Sequence, residues 1–175
     1  MPILQKLVGK TIAKVFYSPD YLIFEDSEGI QHPYTVEGDC CSQSLFYDFF
    51  GIDVLIGGTI KEIKSVPVTP SDIYGNGSSY KDQASYDDSI QVYGYQITVQ
   101  PKEGGYNYGE RTAVFSFRNY SNGYYGGSLV DMCTRSKYND GPRELTQSEL
   151  TELKKVPQLT HDTHCVCILT GEHKN

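Results

Sequence analysis

The sequence contains no tryptophan and only two methionines among 175 residues. It has no apolar run approaching the roughly 18 residues of a membrane-spanning helix, so no membrane partner is expected. Positive charge is also scarce. Fifteen Lys and Arg stand against 22 Asp and Glu, a formal net charge of −7. The longest basic run is Lys154-Lys155. A protein that grips long DNA or RNA needs a basic face to release counterions, so that class is excluded. A small nucleotide asks for only one or two well-placed arginines and stays open. The cysteines Cys40, Cys41, Cys133, Cys165 and Cys167 are odd in number and irregularly spaced. That pattern fits reduced thiols rather than a disulfide framework. The start, Met1-Pro2-Ile3-Leu4-Gln5-Lys6, lacks a long apolar run and a cleavage signature. A cytoplasmic protein is therefore expected. Phosphate-loop, GxSxG, HExxH and GxGxxG motifs are absent, and no cofactor is expected.

What the chain has instead is glycine and tyrosine, 17 and 15 residues respectively. Tyrosine favours strands, and glycine favours the turns between them. The length suits one domain, 1–175. Residues 11–17 alternate loosely, with Ala13, Val15 and Tyr17 on one face, and predict a strand. Strands are also expected over 21–25 and 30–36. Pro33 cannot donate to a ladder, which marks the second of these as an edge or bulged strand. Leu45, Phe46, Phe49 and Phe50 then form an apolar stripe at helical spacing. A short helix is expected there, capped by Ser42 or Ser44 and ended by Gly51. A strand over 59–66 follows.

Residues 67–88 are rich in Gly, Ser, Asn and Asp without a period, and read as a mobile insertion. The clearest strand covers 90–100, with Tyr93, Tyr95, Ile97 and Val99 on one face. Its hairpin partner is 111–118, with Ala113, Phe115 and Phe117 on one face. Asn122-Gly123 is a strong turn signal before a strand over 128–134. Thr146-x-x-Glu149 is a capping box opening a helix that Pro157 stops. Residues 163–169 suggest a last strand. The fold class is α+β: an antiparallel β-sheet of meander and hairpins with two short helices.

Four segments carry residues with chemical potential. In 118–127, Arg118 can clamp a phosphate and Asn119 and Asn122 can read polar edges. Tyr124 and Tyr125 can stack on a base, and the glycines allow close backbone approach. A tight turn demanding Asn and Gly explains the same residues structurally. In Gly38-Asp39-Cys40-Cys41-Ser42, cysteines before a helix would feel its positive end. His32 and Asp39 would serve as base and orienter. A buried cysteine beside an Asp cap is the simpler account. His161, His164, Cys165 and Cys167 are zinc-type ligands, yet strand alternation keeps them from converging. Asp82, Asp87 and Asp88 do not match a calcium loop. No metal is expected.

Gly38-Asp39-Cys40-Cys41-Ser42 and Arg118-Asn119-x-Ser121-Asn122-Gly123-Tyr124-Tyr125-Gly126-Gly127 together resemble a family of small proteins found mainly in bacteriophages and prophages. Leu55-Ile56-Gly57 and Val92-Tyr93-Gly94-Tyr95 lie between them at matching spacing, so the resemblance covers roughly residues 8–130. It brings no activity with it. By analogy, a phage setting implies action on the host, including capture of a nucleotide immune signal without cleavage. The expectation is a non-enzymatic ligand sponge in the bacterial cytosol. Its pocket would be walled by Tyr93, Tyr95 and the 118–127 loop, its phosphates held by Arg118 and Arg135, and its lid formed by 67–88. A homo-oligomer is compatible with this. Two alternatives stand beside it: an inhibitor that binds a basic host protein through its acidic surface, and an enzyme using Cys40 or Cys41.

Overall fold

In the computed structural model, the described residues form nine strands divided between two antiparallel sheets. The structure describes residues 2–39, 41–66, 89–100, 111–121, 126–134, 142–159 and 166–167. The first sheet has the order β1-β2-β3-β8 and the second β5-β6-β7-β4-β9. The strands are β1 (Ile12–Tyr17), β2 (Tyr21–Asp26), β3 (Gln31–Gly38), β4 (Gln43–Phe50), β5 (Ile60–Val66), β6 (Ile90–Val99), β7 (Arg111–Tyr120), β8 (Gly127–Asp131) and β9 (Val166–Cys167). Among the described residues three short helices accompany them: α1 (Pro2–Gln5), α2 (Ile52–Leu55) and α3 (Gln147–Lys154). The antiparallel α+β class expected from the sequence is the class observed.

The sheets share one core. Val15, Tyr17, Leu22, Phe24 and Tyr34 from the first pack against Phe46, Phe49, Tyr95, Ile97, Phe115 and Phe117 from the second. Rings meet across the gap: Tyr17 lies 5.3 Å from Phe46 and Phe24 lies 6.2 Å from Phe115. The inward faces of β6 and β7 follow the alternation of their sequences, with Tyr95, Ile97 and Val99 beside Ala113, Phe115 and Phe117.

The stretch expected as a helix over 42–51 is β4. Its register slips between Phe46 and Asp48, so Phe46 faces Phe117 while Phe49 faces Phe115. One inserted residue lets side chains three apart share a face. That is why a bulged strand carries a helix-like stripe. A similar slip in β1, between Ile12 and Lys14, turns Ala13 outward and puts Ile12 in the core with Val15 and Tyr17.

β3 is not an edge strand, because β8 lies beside it. Pro33 is tolerated for a local reason. Its carbonyl accepts from Met132 N–H at 3.1 Å, so its nitrogen faces the same side, one residue past the end of β8. The pairing closes on that bond, so the donor that proline lacks forfeits only the return bond at the ladder's end.

The predicted capping box forms at α3. Thr146 Oγ1 accepts from Glu149 N–H at 3.1 Å, and Glu149 Oε1 accepts from Thr146 N–H at 2.9 Å. Leu153 and Val156 join Ile23 and Met132 in a smaller core on the outer face of the first sheet. Among the described residues no helix is long and apolar enough to cross a membrane. The proposed lid 67–88, the connection 101–110 and most of 163–169 lie outside the described residues.

Candidate functional site

The chain leaves β3 at Gly38 and re-enters the other sheet at Gln43, so the segment between them joins the two sheets. β7 ends and β8 begins at the same corner. Gly38 pairs with Gly127 in the β3–β8 ladder, and Ser44 pairs with Asn119 in the β4–β7 ladder. The two motif segments of the sequence are therefore neighbours in space.

Hydrogen bonds tie them together. Asp39 N–H donates to the Gly126 carbonyl at 3.0 Å, and Gly126 N–H donates to Asp39 Oδ2 at 3.2 Å. Ser42 Oγ donates to the Asp39 carbonyl at 2.7 Å, and Ser44 Oγ donates to the Glu37 carbonyl at 2.9 Å. Asn119 is fully buried, and its Nδ2 donates to both serines, at 3.1 and 3.0 Å. Each hydroxyl has one proton, already committed to a carbonyl. Both serines must then accept from Asn119, and this fixes the amide with Nδ2 towards them. The glycines are required by crowding: a Cβ on Gly127 would collide with Ser44 Oγ, and one on Gly38 would lie 2.7 Å from Ser42 Oγ.

Tyr93 borders this corner. Its ring stacks on Phe117 with centroids 4.7 Å apart. Its hydroxyl donates to Gln91 Oε1 at 2.6 Å and accepts from Gly127 N–H at 3.3 Å. Gln91, Asn119 and Ser44 form a polar row across β6, β7 and β4. It ends the apolar inner face, one row beyond Tyr93, Phe117 and Phe46.

Arg118 points the other way, because successive strand residues face opposite sides. Its guanidinium carbon sits 3.5 Å above the Tyr47 ring, and Nη2 lies 3.6 Å from Asp48 Oδ2. Ser116 Oγ donates to the same carboxylate oxygen at 2.9 Å. Arg118 is 1% exposed and Asp48 is fully buried. The pocket expected between Arg118, Tyr93 and Tyr95 is thus not how the sheet arranges them. Tyr95 lies 4% exposed inside the core, stacked 5.1 Å from Phe115, and burial pushes its hydroxyl up to about 12. Asn122, Tyr124, Tyr125 and Arg135 lie outside the described residues.

The cysteine reading loses its premise as well. Residues 43–50 are a strand, so Cys41 does not precede a helix. Cys41 is exposed and holds a left-handed backbone at φ 68°. Asp39 bonds Gly126 rather than a helix end. His32 belongs to a different cluster, its Nε2 3.0 Å from Asp26 Oδ2, and β3 separates it from the corner by roughly 20 Å. The hydrogen bond from His32 leads the contacts that hold the Asp26 carboxyl below its usual range.

Among the described residues no group of three or more His, Cys, Asp or Glu is placed to hold a metal ion. The His161–Cys167 and Asp82–Asp88 candidates lie outside them, apart from the backbone of 166–167. Sequence reasoning missed Gln91, Tyr47 and Asp48, and named Ser42 and Ser44 only as helix caps. Gln91 continues the Tyr93–Tyr95 alternation, which was the available signal; the others follow from treating 43–50 as a strand.

No family model matches this chain, and neither does any curated protein or solved structure.

Proposed function

We propose that this chain is a non-catalytic binding protein of phage type that holds a small nucleotide-like ligand at the corner between its two sheets. The observation that carries the reading is the convergence of the two motif segments on Asn119, next to the half-buried Tyr93 ring. Crowded glycines, fixed amide groups and an aromatic edge are the parts that a pocket for a planar polar ligand requires. Asn122, Tyr124 and Tyr125 follow Asn119 directly in the chain and are assigned to the same ligand. Arg118 and Tyr95 are assigned to the framework, because both are buried and engaged elsewhere. Binding without turnover would lower the free concentration of a host signal, the sponge role expected of a phage protein in the bacterial cytosol.

A thermal-shift screen with cyclic dinucleotides, cyclic trinucleotides, cyclic ADP-ribose isomers and NAD tests this. Ligand at a hundred times its dissociation constant stabilises the fold by about 2.7 kcal/mol, several degrees for a domain of this size. One nucleotide should shift the transition and be recovered intact after denaturation. If none does, the net charge of −7 favours the second reading, an acidic surface that binds a basic host protein.

A further inference from the structure

The corner contains an acceptor with nothing to accept. Asn119 Oδ1 is buried and has no hydrogen-bond partner, while Nδ2 of the same amide has two. A simple flip of the amide does not cure this. It would face Oδ1 towards Ser42 and Ser44, whose protons are held by the Asp39 and Glu37 carbonyls. A buried carbonyl left without a donor is destabilising, so such a group calls for an explanation.

The neighbour across the ladder supplies the complementary half. Gln91 pairs with Asn119 in register, which brings their Cβ atoms to roughly 5 Å. Gln91 Oε1 accepts from Tyr93, and this leaves the two protons of its Nε2 pointing elsewhere. Gln91 and Tyr93 beside it are half-buried, so the site meets solvent at those two side chains. An acceptor and a donor side by side, next to an aromatic ring, match a planar group with an N–H beside a carbonyl or ring nitrogen.

We infer that Asn119 Oδ1 and Gln91 Nε2 together read the hydrogen-bonding edge of a nucleobase. This rests on the ligand-binding role proposed above and adds that the site discriminates between bases.

The test follows the side-chain amide signals of Asn119 and Gln91 by nuclear magnetic resonance while adenosine, guanosine, cytidine, uridine and ribose 5-phosphate are added separately. One nucleoside should shift both signals and bind more tightly than the others. Gln91→Glu keeps the acceptor that Tyr93 uses and removes the donor. It should weaken that nucleoside about tenfold and erase the preference, with an unchanged melting temperature. Asn119→Ala removes the acceptor and should do the same if it folds; Gln91→Glu decides the matter if it does not. Equal binding of all four nucleosides, with both amide signals unmoved and Gln91→Glu without effect, overturns the base reading and leaves the binding role standing. No binding by any probe, with a long-lived water at Asn119, overturns both: the orphan acceptor then holds a structural water only.

Discussion

Arg118 lies over the ring of Tyr47, its guanidinium carbon 3.5 Å from the centroid, on the opposite side of the second sheet from Tyr93. A residue whose type and loop position look made for a phosphate is instead 1% exposed and charge-paired with Asp48. A buried pair of this kind is hard to dismantle one partner at a time, because the survivor keeps its charge without compensation.

Arg118→Ala is therefore expected to damage the fold rather than a binding site. It should cost about 3–5 kcal/mol in urea unfolding. The double change Arg118→Met with Asp48→Leu should cost less than Arg118→Ala alone. If Arg118→Ala unfolds like the parent protein, the pair has no structural weight.

Gly127→Ala tests the crowding at the corner. The new methyl meets Ser44 Oγ and lies 3.1 Å from Phe117 Cε2, so overpacking of about 1–3 kcal/mol is expected. Ser44→Ala removes the nearest atom, and the double variant should be more stable than the sum of the two singles predicts. Additive losses would place the strain elsewhere.

The helix start should respond to pH. The Glu149 carboxylate accepts from both Arg143 guanidinium nitrogens, at 2.9 and 2.6 Å, and from Thr146 N–H, while Glu149 N–H donates to Thr146 Oγ1. The Arg143 hydrogen bonds, with the cap, hold its carboxyl at about 2. A depressed carboxyl stabilises the fold fully above its ordinary value of 4.5, and the contribution fades as pH falls towards 2. Between pH 5 and 2.5 the melting temperature of Glu149→Gln should therefore fall less than that of the parent. Parallel curves would remove Glu149 from the acid response. Thr146→Ala should cost about 1 kcal/mol at neutral pH.

Cys41 offers a test of the enzymatic alternative. Its φ of 68° is a conformation that suits glycine, so Cys41→Gly should be neutral or stabilising by up to about 1 kcal/mol. The same variant should retain whatever ligand binding the parent shows. Fast labelling of the parent by iodoacetamide at neutral pH, with function lost on blocking, would revive the cysteine reading.

Some of this protein is written in local order. The faces of β6 and β7, the capping box at Thr146 and the placing of most strands follow from period-two patterns and short-range hydrogen bonds, which need only neighbouring residues. The same local rules misread 43–50, because a bulge between Phe46 and Asp48 gives a strand the spacing of a helix, and a bulge is set by the partner strand. Tertiary structure alone decided that Pro33 sits just past the end of β8 and that Asp48 and Tyr47 receive Arg118. It also decided that Asn119 turns an unanswered carbonyl inward at the corner. Which face of a sheet is covered, and by which charge, depends on segments far apart in the chain, and alternation along one strand carries no record of them.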